Sequence, residues 1–133
     1  MKRIATLFVL LTVGLTGCST AHITSVSIPG AEGRVIDAKT GAPVQGAHIT
    51  RPHLQGRGWN EPAVTVASNE NGDFDLAPAS YFKKTFTTRI INIRTGSFII
   101  SADGYATNEV YGVVAASGNF GRVDLGQISL AKQ

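Results

Sequence analysis

Cysteine is almost absent from this chain, which has a single one among its 133 residues, at position 18. No disulfide can therefore form within the chain. The sequence also lacks a nucleophile elbow, a zinc-protease helix motif and a phosphate-binding loop, the short patterns typical of common catalytic sites. We therefore expect a protein that is not an enzyme and that needs no cofactor.

Histidine is scarce too, with three residues in the chain. His48 and His53 flank the end of a predicted strand and could in principle share a metal ion. Because no cysteine lies near them and His48 is expected on an outward face, we predict no metal site. Nothing in the sequence pairs the acidic residues Glu32, Asp37 and Asp124, which we expect to be solvated strand positions.

One polar segment resembles part of a calcium-binding loop, in which Asn69, Asn71, Asp73 and Asp75 alternate. A complete loop needs more carboxylates and a bidentate glutamate at its end. The segment also contains an Asn-Gly pair, which is favoured in tight hairpins. We therefore interpret it as a hairpin turn with polar flanks.

Stretches rich in alanine, leucine, glutamate and lysine are missing, whereas glycine and β-branched residues are frequent, which argues against helices. The formal net charge is +3, and Lys2 and Arg3 supply two of these charges. Without them the chain is close to neutral, so no nucleic-acid partner is predicted.

The amino-terminal residues have the composition of a secretory signal peptide. Lys2 and Arg3 precede an apolar run over residues 4–15, which is shorter than the roughly 20 residues that span a bilayer. Small residues follow at Thr16 and Gly17, immediately before Cys18. We predict a signal peptide over residues 1–17.

The segment Leu-Thr-Gly-Cys ending at Cys18 resembles the lipobox of bacterial lipoproteins. That resemblance implies that the sulfur of Cys18 carries a lipid anchor, with fatty acids such as palmitate, after cleavage before this residue. Ser19 stands where an aspartate usually signals retention in the inner membrane. The resemblance therefore implies a lipid-anchored protein of the outer membrane that faces the periplasm.

The remaining chain reads as a tether over residues 18–30 and one β domain over residues 31–133. Short alternating runs are separated by turn residues every eight to twelve positions, which is typical of a sandwich or barrel. Phe74, Leu76, Phe98 and Ile100 are predicted to point inward. In the last strand the apolar alternation changes phase, which predicts a bulge at Gly126-Gln127.

Four segments in order resemble the carboxypeptidase regulatory-like domain: residues 33–37, residues 40–47, Asn71-Gly72-Asp73-Phe74 with Leu76, and residues 100–105. The resemblance covers about residues 31–130. It implies an all-β fold, a transthyretin-like β-sandwich of about seven strands, and it brings no catalytic residues.

Two long loops, residues 51–62 and 77–88, are candidate functional segments. With a strand over residues 89–94 and antiparallel succession, these loops and residues 103–108 are predicted to lie at one end of the sandwich. That end would be basic and aromatic. Its candidate partner-binding residues are Arg57, Trp59, Tyr81, Phe82, Lys83 and Lys84.

Two uses fit this predicted end. It could dock a protein partner, which aromatic and arginine side chains favour, or it could lean on anionic lipid headgroups; we favour the partner. The sequence thus predicts a noncatalytic envelope lipoprotein that binds a protein or a cell-wall component through its loops. The alternative is a purely structural module, or a subunit of a secretion assembly, without a ligand site of its own.

Overall fold

The computed structural model describes residues 22–114 and 121–133, and these are built from β-strands without a helix. The predicted signal peptide and Cys18 lie outside the described residues. The all-β prediction is confirmed. The described ranges hold twelve strands: β1 Ile23–Ile28, β2 Gly30–Asp37, β3 His48–Arg51, β4 Leu54–Gly56, β5 Trp59–Glu61, β6 Val64–Ala67, β7 Asp73–Leu76, β8 Ala79–Lys84, β9 Arg89–Asn92, β10 Thr95–Ser101, β11 Asn108–Val113 and β12 Arg122–Leu130.

These strands form two larger sheets and two smaller units. One sheet has the order β12-β2-β7 and the other the order β11-β10-β3-β6. A third sheet, β8-β1-β9, is here called the end sheet, and β4 and β5 form a separate hairpin. The count of about seven strands and the transthyretin-like topology stay predictions.

The hydrophobic core lies between the two larger sheets. Phe74 and Leu76 of β7 and Phe98 and Ile100 of β10 belong to one buried cluster, at 5% exposure or less, as their alternation predicted. Side chains from both sheets therefore share one core, which is consistent with the predicted sandwich.

The predicted bulge in the last strand is confirmed. The parallel register between β12 and β2 shifts between Asp124 and Gln127, and Gly126 has a φ of 59°. Val123 and Ile128, which have opposite parity, are consequently both buried. One extra residue in the strand returns the later apolar side chains to the core.

The Asn71-Gly72 turn is also present, but it does not close a hairpin. The backbone nitrogen of Asn69 donates to the carbonyl oxygen of Asp73, and the carbonyl oxygen of Asn69 accepts from the backbone nitrogen of Gly72, which has a φ of 76°. The strand before this turn, β6, belongs to the four-stranded sheet, whereas β7 belongs to the three-stranded sheet with β2. The turn therefore carries the chain across the sandwich.

The structure corrects two expectations about solvated residues. Residues 23–28, predicted within the tether, form strand β1, in which Val26 and Ile28 are 0% and 1% exposed. Asp37, predicted to be solvated, is 4% exposed. Asp124 is exposed, and its carboxylate accepts a hydrogen bond from the backbone nitrogen of Gly126. The ordered domain thus begins before residue 31.

Candidate binding surfaces

Two of the three predicted loops lie together, and the third lies at the opposite end of the sandwich. Arg51, where β3 ends, donates hydrogen bonds to the carbonyl oxygens of Pro29 and Ala77 at 3.2 and 3.1 Å. Segments 51–62 and 77–88 therefore start at the end where β2 begins. Tyr105, by contrast, donates to Asp37, at the end of β2. The prediction of one common end for all three loops was wrong.

The physical reason for this error is the path of β9. The predicted common end requires residues 89–94 to form a strand that crosses the sandwich. Strand β9 instead pairs in parallel with β1 in the end sheet, with Ser27 opposite Asn92. The chain therefore does not cross the sandwich there, and β10 runs antiparallel to β3. The next connection, residues 103–108, falls at the other end.

The β4–β5 hairpin contacts the end sheet. The hydroxyl of Tyr81 on β8 donates to the carbonyl oxygen of Gly58, and the guanidinium of Arg89 on β9 donates to that of Arg57, both at 3.4 Å. Segments 51–62 and 77–88 thus form neighbouring parts of one surface, as predicted.

The register of the end sheet divides its side chains between two faces. Val26 is opposite Tyr81 and Ile91, and these residues share the inner face because directly paired residues point the same way. Ser25 is opposite Phe82 and Ile90, which share the outer face. Consecutive residues alternate, so the predicted site residues Tyr81 and Lys83 lie on the inner face and Phe82 and Lys84 on the outer one.

The outer face of the end sheet exposes large apolar side chains. Phe82 is 68% exposed and Ile90 is 71% exposed, while Ile23, opposite Lys84, is 38% exposed. Phe86, just beyond β8, is 99% exposed. We call these residues, Ile23, Phe82, Lys84, Phe86 and Ile90, the end patch.

Sequence reasoning found Phe82 and Lys84 but missed Ile23, Phe86 and Ile90 as members of one surface. The alternation within β8 separates Phe82 from Tyr81, and this signal was available. The pairing of β1 with β9 could not be predicted in this way, because partners 60 or more residues apart leave no local pattern.

The two hairpin residues of the predicted site differ in exposure. Arg57 is exposed at the hairpin turn, and Trp59 is partly buried. The indole of Trp59 lies directly over Gly56, its cross-strand partner, where a larger residue would collide with the ring. By register, Trp59 shares a hairpin face with Leu54.

Leu54 also lines a groove of about 570 Å³ on the outer side of the four-stranded sheet. The apolar lining is Leu54, Ile93, Tyr111 and Val113. Tyr111 and Val113 are 73% and 65% exposed, and they lie on β11, an edge strand of this sheet. Edge strands have unpaired backbone groups on one side, so an extended segment can add to them.

A carboxylate stands beside this groove. Glu109, opposite Ile99 on the outer face, accepts a 2.6 Å hydrogen bond from the hydroxyl of Ser97. Hydrogen bonds from Ser97 and then Tyr111 lower the pKa of Glu109, and the same carboxylate raises the pKa of Tyr111. Near neutral pH the groove therefore has a negative charge at one end.

Arg51 lies at the junction of sandwich, end sheet and hairpin. It is 3% exposed and is 3.9 Å from the carboxylate of Glu61. Burial lowers its pKa, which Glu61 opposes. In the described part of the chain its Nε has no hydrogen-bond partner. Its other contacts, with the carbonyl groups of Pro29 and Ala77, connect three segments.

Three of the residues considered for metal binding, His53, Asp73 and Asp75, contact other side chains. His53 forms a hydrogen bond with Asn60, and strand β3 separates it from His48. Asp73 and Asp75 accept 2.7 Å hydrogen bonds from Arg34 and Arg122. Over residues 22–114 and 121–133, no group of three histidine, cysteine or acidic residues is placed to hold a metal ion. Within the same ranges no helix is long and apolar enough to cross a membrane.

No family model matches the sequence, and no curated protein matches it. Some solved structures are similar to it. One is 3-chlorocatechol 1,2-dioxygenase from Rhodococcus opacus 1CP, with a TM-score of 0.48 and 13% identity; the match covers 86% of this chain and 62% of that one. Another is catechol 1,2-dioxygenase from Acinetobacter sp. ADP1, with a TM-score of 0.46 and 10% identity; the match covers 88% of this chain and 55% of that one. This chain thus spans less than two thirds of the length of these structures.

These similar structures are enzymes, which contradicts the expectation that this chain is not an enzyme. That prediction was drawn from missing short motifs and is not kept, because a fold can assemble catalytic groups from positions far apart in sequence. At 10–13% identity and TM-scores below 0.5, the likeness transfers no substrate, metal or active site to this chain.

Proposed function

We propose that this chain is an outer-membrane lipoprotein, anchored by the lipid on Cys18 and facing the periplasm, whose β domain binds a protein partner in the groove beside β11. We further propose that the domain is a carboxypeptidase regulatory-like module of transthyretin-like topology. The observation that carries the partner proposal is the apolar groove with exposed Tyr111 and Val113 along an edge strand.

The position of β1 is compatible with an anchor at Cys18. Strand β1 begins at Ile23, five residues after Cys18, at the tip of the end sheet. The groove lies near the opposite end of β1, because the backbone nitrogen of its lining residue Ile93 donates to the carbonyl oxygen of Ser27. The rest of its lining comes from β4, β10 and β11. A lipid at Cys18 would therefore leave the groove free for another molecule.

The composition of the groove indicates the chemistry of its partner. Leu54, Ile93 and Val113 favour apolar side chains. The outer edge of β11, which pairs with no other strand of the described residues, favours an extended backbone that can form hydrogen bonds. Glu109, beside these residues, favours a lysine or arginine that follows the apolar part. The partner is thus an envelope protein with an extended, apolar segment that ends in a cation.

Site-specific crosslinking in the native envelope tests the partner. A photoreactive residue at Val113 should give one discrete protein adduct, whereas the same residue at Thr65, exposed on the far edge strand β6 of the same sheet, should give none. Glu109→Lys should remove the adduct at Val113 without changing the melting temperature. Equal adducts at the two positions, or none at Val113, would refute the proposed site.

The anchor has its own test. The wild-type chain should incorporate labelled fatty acid, and Cys18→Ala should abolish incorporation and leave an unprocessed precursor. Labelled Cys18→Ala protein would show that the lipoprotein assignment is wrong. Fractionation of the wild-type envelope tests the assignment to the outer membrane.

A further inference from the structure

We propose that the end patch is a second membrane contact, which rests the tip of the end sheet on an anionic bilayer surface beside the lipid anchor. This inference rests on the proposed function, because it takes the lipid on Cys18 as the tether. A lipid alone would leave the domain free to rotate on its tether. Contact through a defined protein surface would fix the orientation of the domain on the membrane.

The aromatic and apolar side chains of the end patch are unusually exposed. Phe82, Phe86 and Ile90 expose between 68% and 99% of their surface at one end of the molecule. Phe82 and Ile90 pair with Ser25 from opposite sides, so their side chains lie on the same outer face, one on each side of Ser25. Large apolar groups clustered in this way mark an interaction surface.

The end sheet also differs from the rest of the chain in charge. The segments that build the end sheet, residues 22–28 and 77–94, contain four cations, Lys83, Lys84, Arg89 and Arg94, and no aspartate or glutamate. Lys84 lies on the outer face, whereas Lys83 and Arg89 pair with Thr24 and belong to the inner one. The chain as a whole has 12 cations and 9 anions, so this separation is local. Aromatic side chains among lysines and arginines suit the interface between lipid headgroups and acyl chains.

The short distance that the chain can span between Cys18 and β1 favours a membrane over a protein. Ile23 is five residues after Cys18, and an extended chain spans at most about 3.6 Å per residue. The tip of β1 therefore cannot move more than roughly 18 Å from a lipidated Cys18. Lys84 is paired with Ile23, and Phe86 follows two residues later. The end patch is thus tethered next to the bilayer.

Spin labels on the lipidated protein in vesicles test the inference. The vesicles contain phosphatidylethanolamine and phosphatidylglycerol in a ratio of 3:1, and mass spectrometry first establishes the lipid on Cys18. Labels at Phe86→Cys and Ile90→Cys should be reached by oxygen more readily than by a water-soluble nickel chelate. The control label at Lys39→Cys, exposed at the opposite end of β2, should show the reverse.

A charge variant supplies a second measurement. Lys84→Gln should lower the ratio of membrane-contacting to free label at residue 90 about fivefold, and removing phosphatidylglycerol should lower it further. Lys39→Gln should leave it unchanged.

The outcomes separate the two proposals. An unmodified Cys18 overturns the proposed function and removes the tether that the inference needs. Cys18 could instead be lipidated while the nickel chelate reaches the labels at residues 86 and 90 as readily as the label at residue 39. That result overturns the inference alone. Labels that neither oxygen nor the chelate reaches indicate contact with protein, such as a second copy of the chain, and also overturn it.

Discussion

The hydroxyl of Tyr105 donates a 2.9 Å hydrogen bond to Oδ2 of Asp37, which lies 68 residues earlier in the chain. Oδ1 of the same carboxylate accepts from the backbone nitrogens of Lys39 and Thr40 at 2.8 and 2.9 Å. Lys132 lies 3.6 Å from Oδ2. One buried carboxylate thus joins the end of β2, its following turn, the segment after β10 and the carboxyl-terminal residues.

These contacts make stability depend on pH. Hydrogen bonds from Thr40 and Tyr105, which outweigh the effect of burial, hold the pKa of Asp37 well below its ordinary value. The stabilisation is therefore present above the unfolded-state value of about 3.9 and is lost as the pH falls below it. We expect Asp37→Asn to have a lower melting temperature than wild type at pH 7. Between pH 4 and pH 2 the melting temperature of the variant should fall less than that of wild type. An unchanged decline in thermal melts would contradict this account.

Tyr105→Phe tests the same contact from the other partner. The hydrogen bond to Asp37 raises the pKa of Tyr105, so its contribution is present below about pH 10 and is lost at higher pH. We expect Tyr105→Phe to melt at a lower temperature than wild type at pH 7 and to lose less stability between pH 9 and pH 11. Asp103→Asn, an exposed change nearby, is the control.

The core prediction concerns Phe98, which is fully buried between the two larger sheets. Phe98→Ala should lower the free energy of unfolding by about 3–5 kcal/mol because it removes a buried ring and leaves a cavity. Phe86→Ala, at a side chain that is 99% exposed, should change it by less than about 0.5 kcal/mol. Urea denaturation measures both, and equal values would disprove the assigned strand faces.

Two glycines separate backbone strain from steric collision. Gly46 and Gly72 have φ values of 74° and 76°, but an added Cβ meets nothing at Gly46, whereas at Gly72 it meets the carbonyl oxygen of Val35. Gly46→Ala should cost about 1–2 kcal/mol for its backbone conformation. Gly72→Ala should cost distinctly more, as measured by urea denaturation. Equal costs would mean that the turn shifts freely away from β2.

The buried arginine is expected to hold the end sheet on the sandwich. Arg51→Met keeps the apolar length of the side chain but removes the donor for the carbonyl oxygens of Pro29 and Ala77. We expect the free energy of unfolding to fall by about 1–3 kcal/mol. The substitution should accelerate hydrogen exchange more in β1 and β8 than in β10. Arg34→Met, at an exposed ion pair, should alter neither measurement appreciably. Uniformly faster exchange would refute a local role.

The candidate surface could be predicted from the sequence only in part. The aromatic and basic content of residues 51–62 and 77–88 identified two segments that do meet. It placed Tyr81, Phe82, Lys83 and Lys84 on one surface, whereas strand alternation divides them between two faces. The groove was missed because its lining comes from β4, from Ile93 just after β9, and from β10 and β11. These segments share no local pattern.

The sequence by itself determined the class of the fold and the inward side chains of its strands. Alternation with a period of two residues is local, so Phe74, Leu76, Phe98 and Ile100 could be assigned to the core, and a change of phase located the bulge near Gly126. Only the tertiary structure decided which strands pair and in which direction. The parallel pairing of β1 with β9 joins residues 65 apart, from Thr24 and Arg89 to Ser27 and Asn92. Such a pairing depends on the balance between long-range packing and the entropy of loop closure, and neither is encoded in any short stretch of sequence.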